Sequence, residues 1–155
     1  VMKKFALAIA LSFASLPVFA DVTVDDVWVR ATVPQQMATG AFMRLTSDGD
    51  ARLVSADSPV ANVVEIHEMI MDGSVMKMNA IPGLDLPAGK LVELKPGGYH
   101  VMLMGLKQQL KEGDEVPISI VVEAADGARQ TIELKAHARP LNAPSGGQQM
   151  QHGKH

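Results

Sequence analysis

The chain has 155 residues, 47% of them hydrophobic and 20% charged, which suits one globular domain with a buried core. Its formal net charge is −3, and nothing in the charge pattern favours nucleic acid or an anionic membrane surface. It contains no cysteine, which excludes disulfides, redox CxxC chemistry, thiolate nucleophiles and a thiolate-ligated copper centre. Ten methionines and five histidines stand beside one Trp and one Tyr.

In chain order, residues 1–20 read as a secretory leader. Met2, Lys3 and Lys4 form a basic start, Phe5 to Leu16 is an apolar run, and Pro17-Val18-Phe19-Ala20 offers a cleavage site with small residues. The run is too short for a permanent bilayer span, and a lipid anchor would need a cysteine just after it. The expectation is a bacterial periplasmic protein without stable membrane insertion, beginning about Asp21. Loss of Lys3 and Lys4 would leave 12 basic against 17 acidic residues, a net charge of −5.

The rest reads as short strands. Val22 to Arg30 is β-branched and alternates in part; Thr39 to Ser47 and Arg52 to Asp57 flank Asp48-Gly49, a hairpin signal. Val63 to Met71 and Val75 to Ile81 flank a second such signal, Asp72-Gly73. Lys90 to Leu94, Tyr99 to Leu106 and Glu115 to Glu123 follow. Asp126-Gly127 then returns the chain through Gln130 to Ala136. The stretch from Pro82 to Gly89 reads as loop, and Leu106 to Glu112 as at most one short turn. Eight or nine strands with regular turn signals predict an all-β Greek-key sandwich or barrel over residues 21–138. Residues 139–155, rich in Pro, Gly and Gln, read as a flexible tail.

Four residues carry the chemistry: His67, Met78, His100 and Met102. A two-residue turn at Asp72-Gly73 would set His67 directly opposite Met78 and Met69 opposite Met76, on one face of the hairpin. His100 and Met102 share a face as i and i+2 of one strand. If the two strand pairs meet, two imidazoles and two thioethers surround one point. Such a neutral, soft donor set favours Cu(I) over zinc, calcium or magnesium. Singly, Met69, Met71, Met76 and Met104 are expected to pack rather than ligate, and His137 to be structural or surface.

The spacing His67, ten residues, Met78, twenty-one residues, His100, one residue, Met102 resembles the H-x10-M-x21-H-x-M signature of the periplasmic copper chaperone family (PCuAC-like). The text around it is similar too, from Val64-Glu65-Ile66-His67-Glu68 to Leu94-Lys95-Pro96-Gly97-Gly98-Tyr99-His100-Val101-Met102. The resemblance covers most of residues 22–135. It implies a cupredoxin-like β-sandwich that carries Cu(I) on those four residues. It also implies copper supply to cytochrome c oxidase, or broader periplasmic copper handling. Partners would be a copper donor and a copper acceptor, an oxidase subunit or another chaperone. Some members hold a second copper, often Cu(II), on a Met/His tail, a description that Met150, His152 and His155 fit.

The expected function is therefore a carrier and not an enzyme: an oxidase would need open Cu(II)-friendly positions and more histidines. Copper storage or resistance, or a metal-free interaction module, are the competing readings, since fold alone does not fix function.

Overall fold

The computed structural model describes residues 16, 20–140 and 142. The leader, apart from Leu16 and Ala20, and the tail residues Met150, His152 and His155 lie outside the described residues.

The described residues form ten strands: β1 (Val22–Arg30), β2 (Ala38–Ser47), β3 (Ala51–Asp57), β4 (Ala61–Asp72), β5 (Val75–Ala80), β6 (Leu84–Leu86), β7 (Leu91–Leu94), β8 (His100–Leu106), β9 (Glu115–Ala124) and β10 (Arg129–Arg139). Their order is β5-β4-β8-β2-β1-β10-β9-β3-β6, with β7 added to the free half of the β2 edge. Only β1–β2, β4–β5 and β9–β10 are neighbours both in sequence and in the sheet, so the remaining connections cross over, as a Greek key requires. The β1–β10 pair is parallel and the others antiparallel.

The two halves of this sheet close on one core. Val29, Ala41, Met43, Ile66, Val101 and Leu103 come from one half, and Leu53, Leu86, Ile118, Ile120 and Val122 from the other. Each fully buried aliphatic side chain stabilises the fold by about 1.5–3 kcal/mol relative to exposure. The expected all-β sandwich is the observed fold.

Several local expectations need correction. Asp48-Gly49 does not close a hairpin: β2 and β3 are not paired, and Gly49 is absent from the positive-φ glycines that a type I′ turn would demand. The segment instead carries the chain from the β2 half of the sheet to the β3 half. Leu84–Leu86 is a strand on the β3 edge rather than loop; Leu84 and Leu86 are buried there while Asp85 between them is exposed. The stretch after Leu106 forms bends, with Leu110 fully buried and its amide donating to Thr32 Oγ1 at 2.9 Å.

A bulge in β1 decides which of its side chains face outward. The register against β2 slips by one residue between Asp25 and Trp28, with Asp26 at φ 50° and its carboxylate paired with Arg139. Before the bulge Val22 and Val24 pack on the core; after it Val27 and Val29 do. The inserted residue changes the phase and turns Trp28 and Arg30 to the outer face.

Candidate metal centre on the outer face of the sheet

The site lies on the outer face of β1, β2, β8 and β4. Along β8 the core takes Val101 and Leu103, so His100 and Met102 project the other way. Along β4 the core takes Ile66, which leaves Glu65, His67 and Met69 outward. His67 and His100 are directly opposed across the β4–β8 ladder. Their ring centroids lie 5.6 Å apart, His100 lies 6.4 Å from Phe42, and Phe42 lies 4.5 Å from Trp28. One row of four rings thus runs across four adjacent strands. Arg30 lies over both the Trp28 and Phe42 rings and Arg139 over Trp28, capping the apolar end of the row.

This row buries His67 to 9% and His100 to 5% exposure. Each ring has one nitrogen tied down. His67 Nε2 donates to Glu65 Oε2 at 2.7 Å, a charge-assisted bond that holds the Nε2–H tautomer. His100 Nδ1 donates to the Gly98 carbonyl at 3.1 Å, and since a carbonyl only accepts, Nδ1 carries the proton. The other two nitrogens, His67 Nδ1 and His100 Nε2, are buried and have no partner. An unsatisfied buried polar atom costs about 1–3 kcal/mol, so two in one ring pair call for a ligand that satisfies both.

At His100, protonation does not fill that need. Burial pushes the His100 imidazole below its ordinary value of 6.5; the Gly98 hydrogen bond opposes this in part, and the neighbouring His67 adds to the lowering. The ring is therefore neutral at neutral pH, with a lone pair on Nε2.

The Gly98 carbonyl is placed by a turn visible in the sequence. Gly98 N donates to Lys95 O at 3.0 Å around Pro96 and Gly97, with Gly97 at φ 83°, the type II arrangement that Pro-Gly favours. Lys95 N in turn donates to Tyr99 O at 2.9 Å. Together these bonds fix the segment that overhangs His100.

Beside the rings is a cavity of about 220 Å³ lined by Arg30, Gly40, Phe42, Met69, Met78, Pro96, Gly97, His100 and Met102. Three of the four expected ligands, Met78, His100 and Met102, face this one space. His67 is not among the lining residues and meets the site through its ring contact with His100. Gly40, opposite Met102, leaves the Phe42 ring room: a Cβ there would stand 2.9 Å from Phe42 Cζ.

The β4–β5 hairpin departs from the expected register. The turn is Gly73-Ser74, Asp72 pairs with Val75, and the whole ladder moves by two residues. His67 therefore opposes Ala80, Met69 opposes Met78, and Met71 opposes Met76. Gly73 takes φ 63° at the first central position, as a type II′ turn requires. A slip of two preserves the face, so His67 and Met78 remain on the same side as diagonal neighbours.

The side chains that composition hid are Glu65, Met69 and the Trp28–Phe42 pair. Glu65 was discoverable as the residue two before His67 on the same strand face. Expected to pack, Met71 and Met76 are instead 62% and 47% exposed, whereas the core methionine is Met43 at 1%. His137, at the β10 end, pairs with Trp28 and with Glu115 in register and is exposed.

The donor set fits a soft monovalent cation: free imidazole nitrogens, thioethers, and the Glu65 carboxylate behind His67 to offset one positive charge. No cluster of three or more His, Asp or Glu suited to a metal ion occurs among the described residues. A larger cleft of about 590 Å³ near Arg52, Glu68, Asp85 and Tyr99 offers neither imidazole nor thioether.

The outer-face site and mixed sheet define a class, and comparison supplies the family. The chain belongs to the LpqE-like family, whose model, described as "Putative lipoprotein LpqE-like", matches residues 22–136. The Leifsonia xyli subsp. xyli protein Lxx21020 is 33% identical over 114 residues, covering 73% of this chain and 68% of its own. DR1885 from Deinococcus radiodurans, solved in its Cu(I) form, is 32% identical over 81% of each chain with a TM-score of 0.56. The apo PCuAC domain of PmoF2 is 22% identical, covers 79% of this chain and 92% of its own, and shares the fold at a TM-score of 0.59. The resemblance read from the sequence and the fold it implied both hold.

Proposed function

We propose that this protein is an extracytoplasmic copper carrier that binds one Cu(I) on His67, Met78, His100 and Met102 and passes it to an acceptor protein. One observation carries the reading: two opposed, buried imidazoles, each locked in a tautomer that leaves a lone pair unpartnered, beside two thioethers that face a common cavity. Cu(I) takes such ligands without needing charge neutralisation by thiolate. The 32% identical DR1885 structure in its Cu(I) form supports the same chemistry here.

The site also suits release. Met78 is 45% exposed, and the cavity is open to the loop at Pro96 and Gly97, so an incoming thioether or thiolate could displace the ligands one at a time. The lipoprotein description of the family and the leader-like residues 1–20 support a location beyond the cytoplasmic membrane, the periplasm in a two-membrane cell. No helix among the described residues is long and apolar enough to cross a membrane. The acceptor suggested by the resemblance is the copper site of cytochrome c oxidase or an intermediary chaperone. The tail residues Met150, His152 and His155 would add a separate Cu(II) site.

The test is an anaerobic Cu(I) competition titration against a chromophoric chelator. The chain should bind one equivalent, and a variant with His67, Met78, His100 and Met102 all replaced by Ala, truncated before Met150, should bind none. Equal binding by the two proteins, or none by either, would overturn the reading in favour of a metal-free interaction module.

A further inference from the structure

The corrected hairpin register changes which sulfur atoms the cavity holds. Met69, not His67, is the residue directly opposite Met78, and Met69 lines the cavity together with Met78, Met102 and His100. Opposed residues of an antiparallel pair have Cβ atoms about 4.5–5.5 Å apart on one face, within which two long thioethers can reach a common ion. His67 in the same structure is held aside. Its Nε2 is bonded to Glu65 at 2.7 Å and its ring leans on His100 rather than lining the cavity.

We propose that Met69 is an additional Cu(I) ligand. With this lining an ion would be held by three thioethers, Met69, Met78 and Met102, and by His100 Nε2, and Met69 would exchange with His67 at the fourth position. This rests on the copper reading above and deepens it, because it gives the site a path for loading and release. Such an exchange replaces one neutral donor by another and requires no charged group to enter the cavity. Met69 is half-buried and pairs with Met78, which is 45% exposed, whereas His67 is only 9% exposed. The three-thioether state is therefore the one nearer an acceptor, and the two-histidine state the one nearer the sheet.

The exchange makes a non-additive prediction. Met69→Leu, His67→Ala and the double variant are compared in the full chain by Cu(I) competition titration; leucine keeps the apolar bulk and removes only the sulfur. Each single change should weaken binding by about tenfold or less, since the other residue takes the vacated position. The double change should cost at least about tenfold more than the product of the single losses, the scale of coupling between residues sharing one partner. X-ray absorption of the Cu(I) protein should show a sulfur shell that loses one scatterer in Met69→Leu. Thermal melts of the metal-free variants identify any that fail to fold, and for such a variant Met69→Ile or His67→Gln replaces it.

Strictly multiplicative losses, with the sulfur shell unchanged in Met69→Leu, would overturn the role of Met69 while leaving the four-residue site standing. Absence of Cu(I) binding by the native chain would overturn the copper reading itself, and this inference with it.

Discussion

The two faces of the β1–β2–β8–β4 sheet are built from alternating residues of the same strands, yet they answer to different constraints. The inner face, with Val29, Ala41, Met43, Ile66, Val101 and Leu103, is a continuous aliphatic surface exposed to 4% or less. The outer face places Trp28, Phe42, His100 and His67 at the interleaved positions, also buried, and two of these rings, His67 and His100, each carry an unpartnered nitrogen. The inner face stabilises by apolar burial; the outer face gives up part of that stabilisation to keep two polar atoms without partners. Neighbours in sequence can thus be tested for opposite consequences.

The largest effect belongs to the inner face. Leu103→Ala should cost about 2–5 kcal/mol of unfolding free energy, as for other fully buried leucines, while the folded fraction keeps its Cu(I) affinity. A urea titration paired with a Cu(I) competition assay separates the two quantities. Gly40→Ala comes next, because the new Cβ would sit 2.9 Å from Phe42 Cζ. Overpacking of this kind costs about 1–3 kcal/mol, and since Gly40 opposes Met102, Cu(I) binding should weaken along with stability. A variant as stable as the native protein would show that the ring row yields to the added methyl group at little cost.

Met102→Leu inverts the pattern seen at Leu103. On a half-buried outer position an isosteric change should leave unfolding within about 0.5 kcal/mol of native, yet Cu(I) affinity should fall by about tenfold or more, or roughly 1.4 kcal/mol. Unchanged affinity would remove Met102 from the ligand set.

The smallest effect is in pH. Burial lowers the His100 pKa in the folded state below 6.5, so between the two values the unfolded chain binds more protons than the native one. This contribution to metal-free stability is complete above about pH 6.5 and is lost as pH falls toward and through the folded value. Urea midpoints of the metal-free protein should drop on going from neutral to mildly acid conditions, and His100→Asn should flatten that slope. An identical slope in the variant would place the pH dependence elsewhere.

Strand positions were largely legible because the alternation of Val, Ile and Leu with polar residues needs only local information. What escaped has physical reasons. The broken alternation of Val22 to Arg30 hid a bulge, and only the partner strand shows that Val27 and Val29 continue the inward series begun by Val22 and Val24. The Asp72-Gly73 pair signalled a turn but not which of its positions the glycine would take. Here the glycine leads the turn, and every cross-strand pair moves by two residues. The opposition of His67 and His100 was beyond any local signal, since β4 and β8 are paired across three intervening strands of sequence. The four ligand candidates were legible in spacing and chemistry. Glu65 could have been found from its i, i−2 spacing to His67, whereas the placing of Met69 opposite Met78 depends on register and became visible only in three dimensions.

The opposite tautomers of the two histidines have a geometric consequence. Nδ1 lies close to the backbone that bears it, and Nε2 lies at the far end of the ring. Residues directly opposed on neighbouring strands, one offering Nδ1 and the other Nε2, form a pincer with one short arm and one long arm. An ion gripped by both would sit nearer β4 than β8. The arms are also anchored differently: the short one is braced by a side-chain carboxylate, Glu65, and the long one by a main-chain carbonyl inside a glycine turn, Gly98. A side chain can rotate away while a hydrogen-bonded turn holds its place, so His67 is the arm with the freer support and His100 the arm with the fixed one.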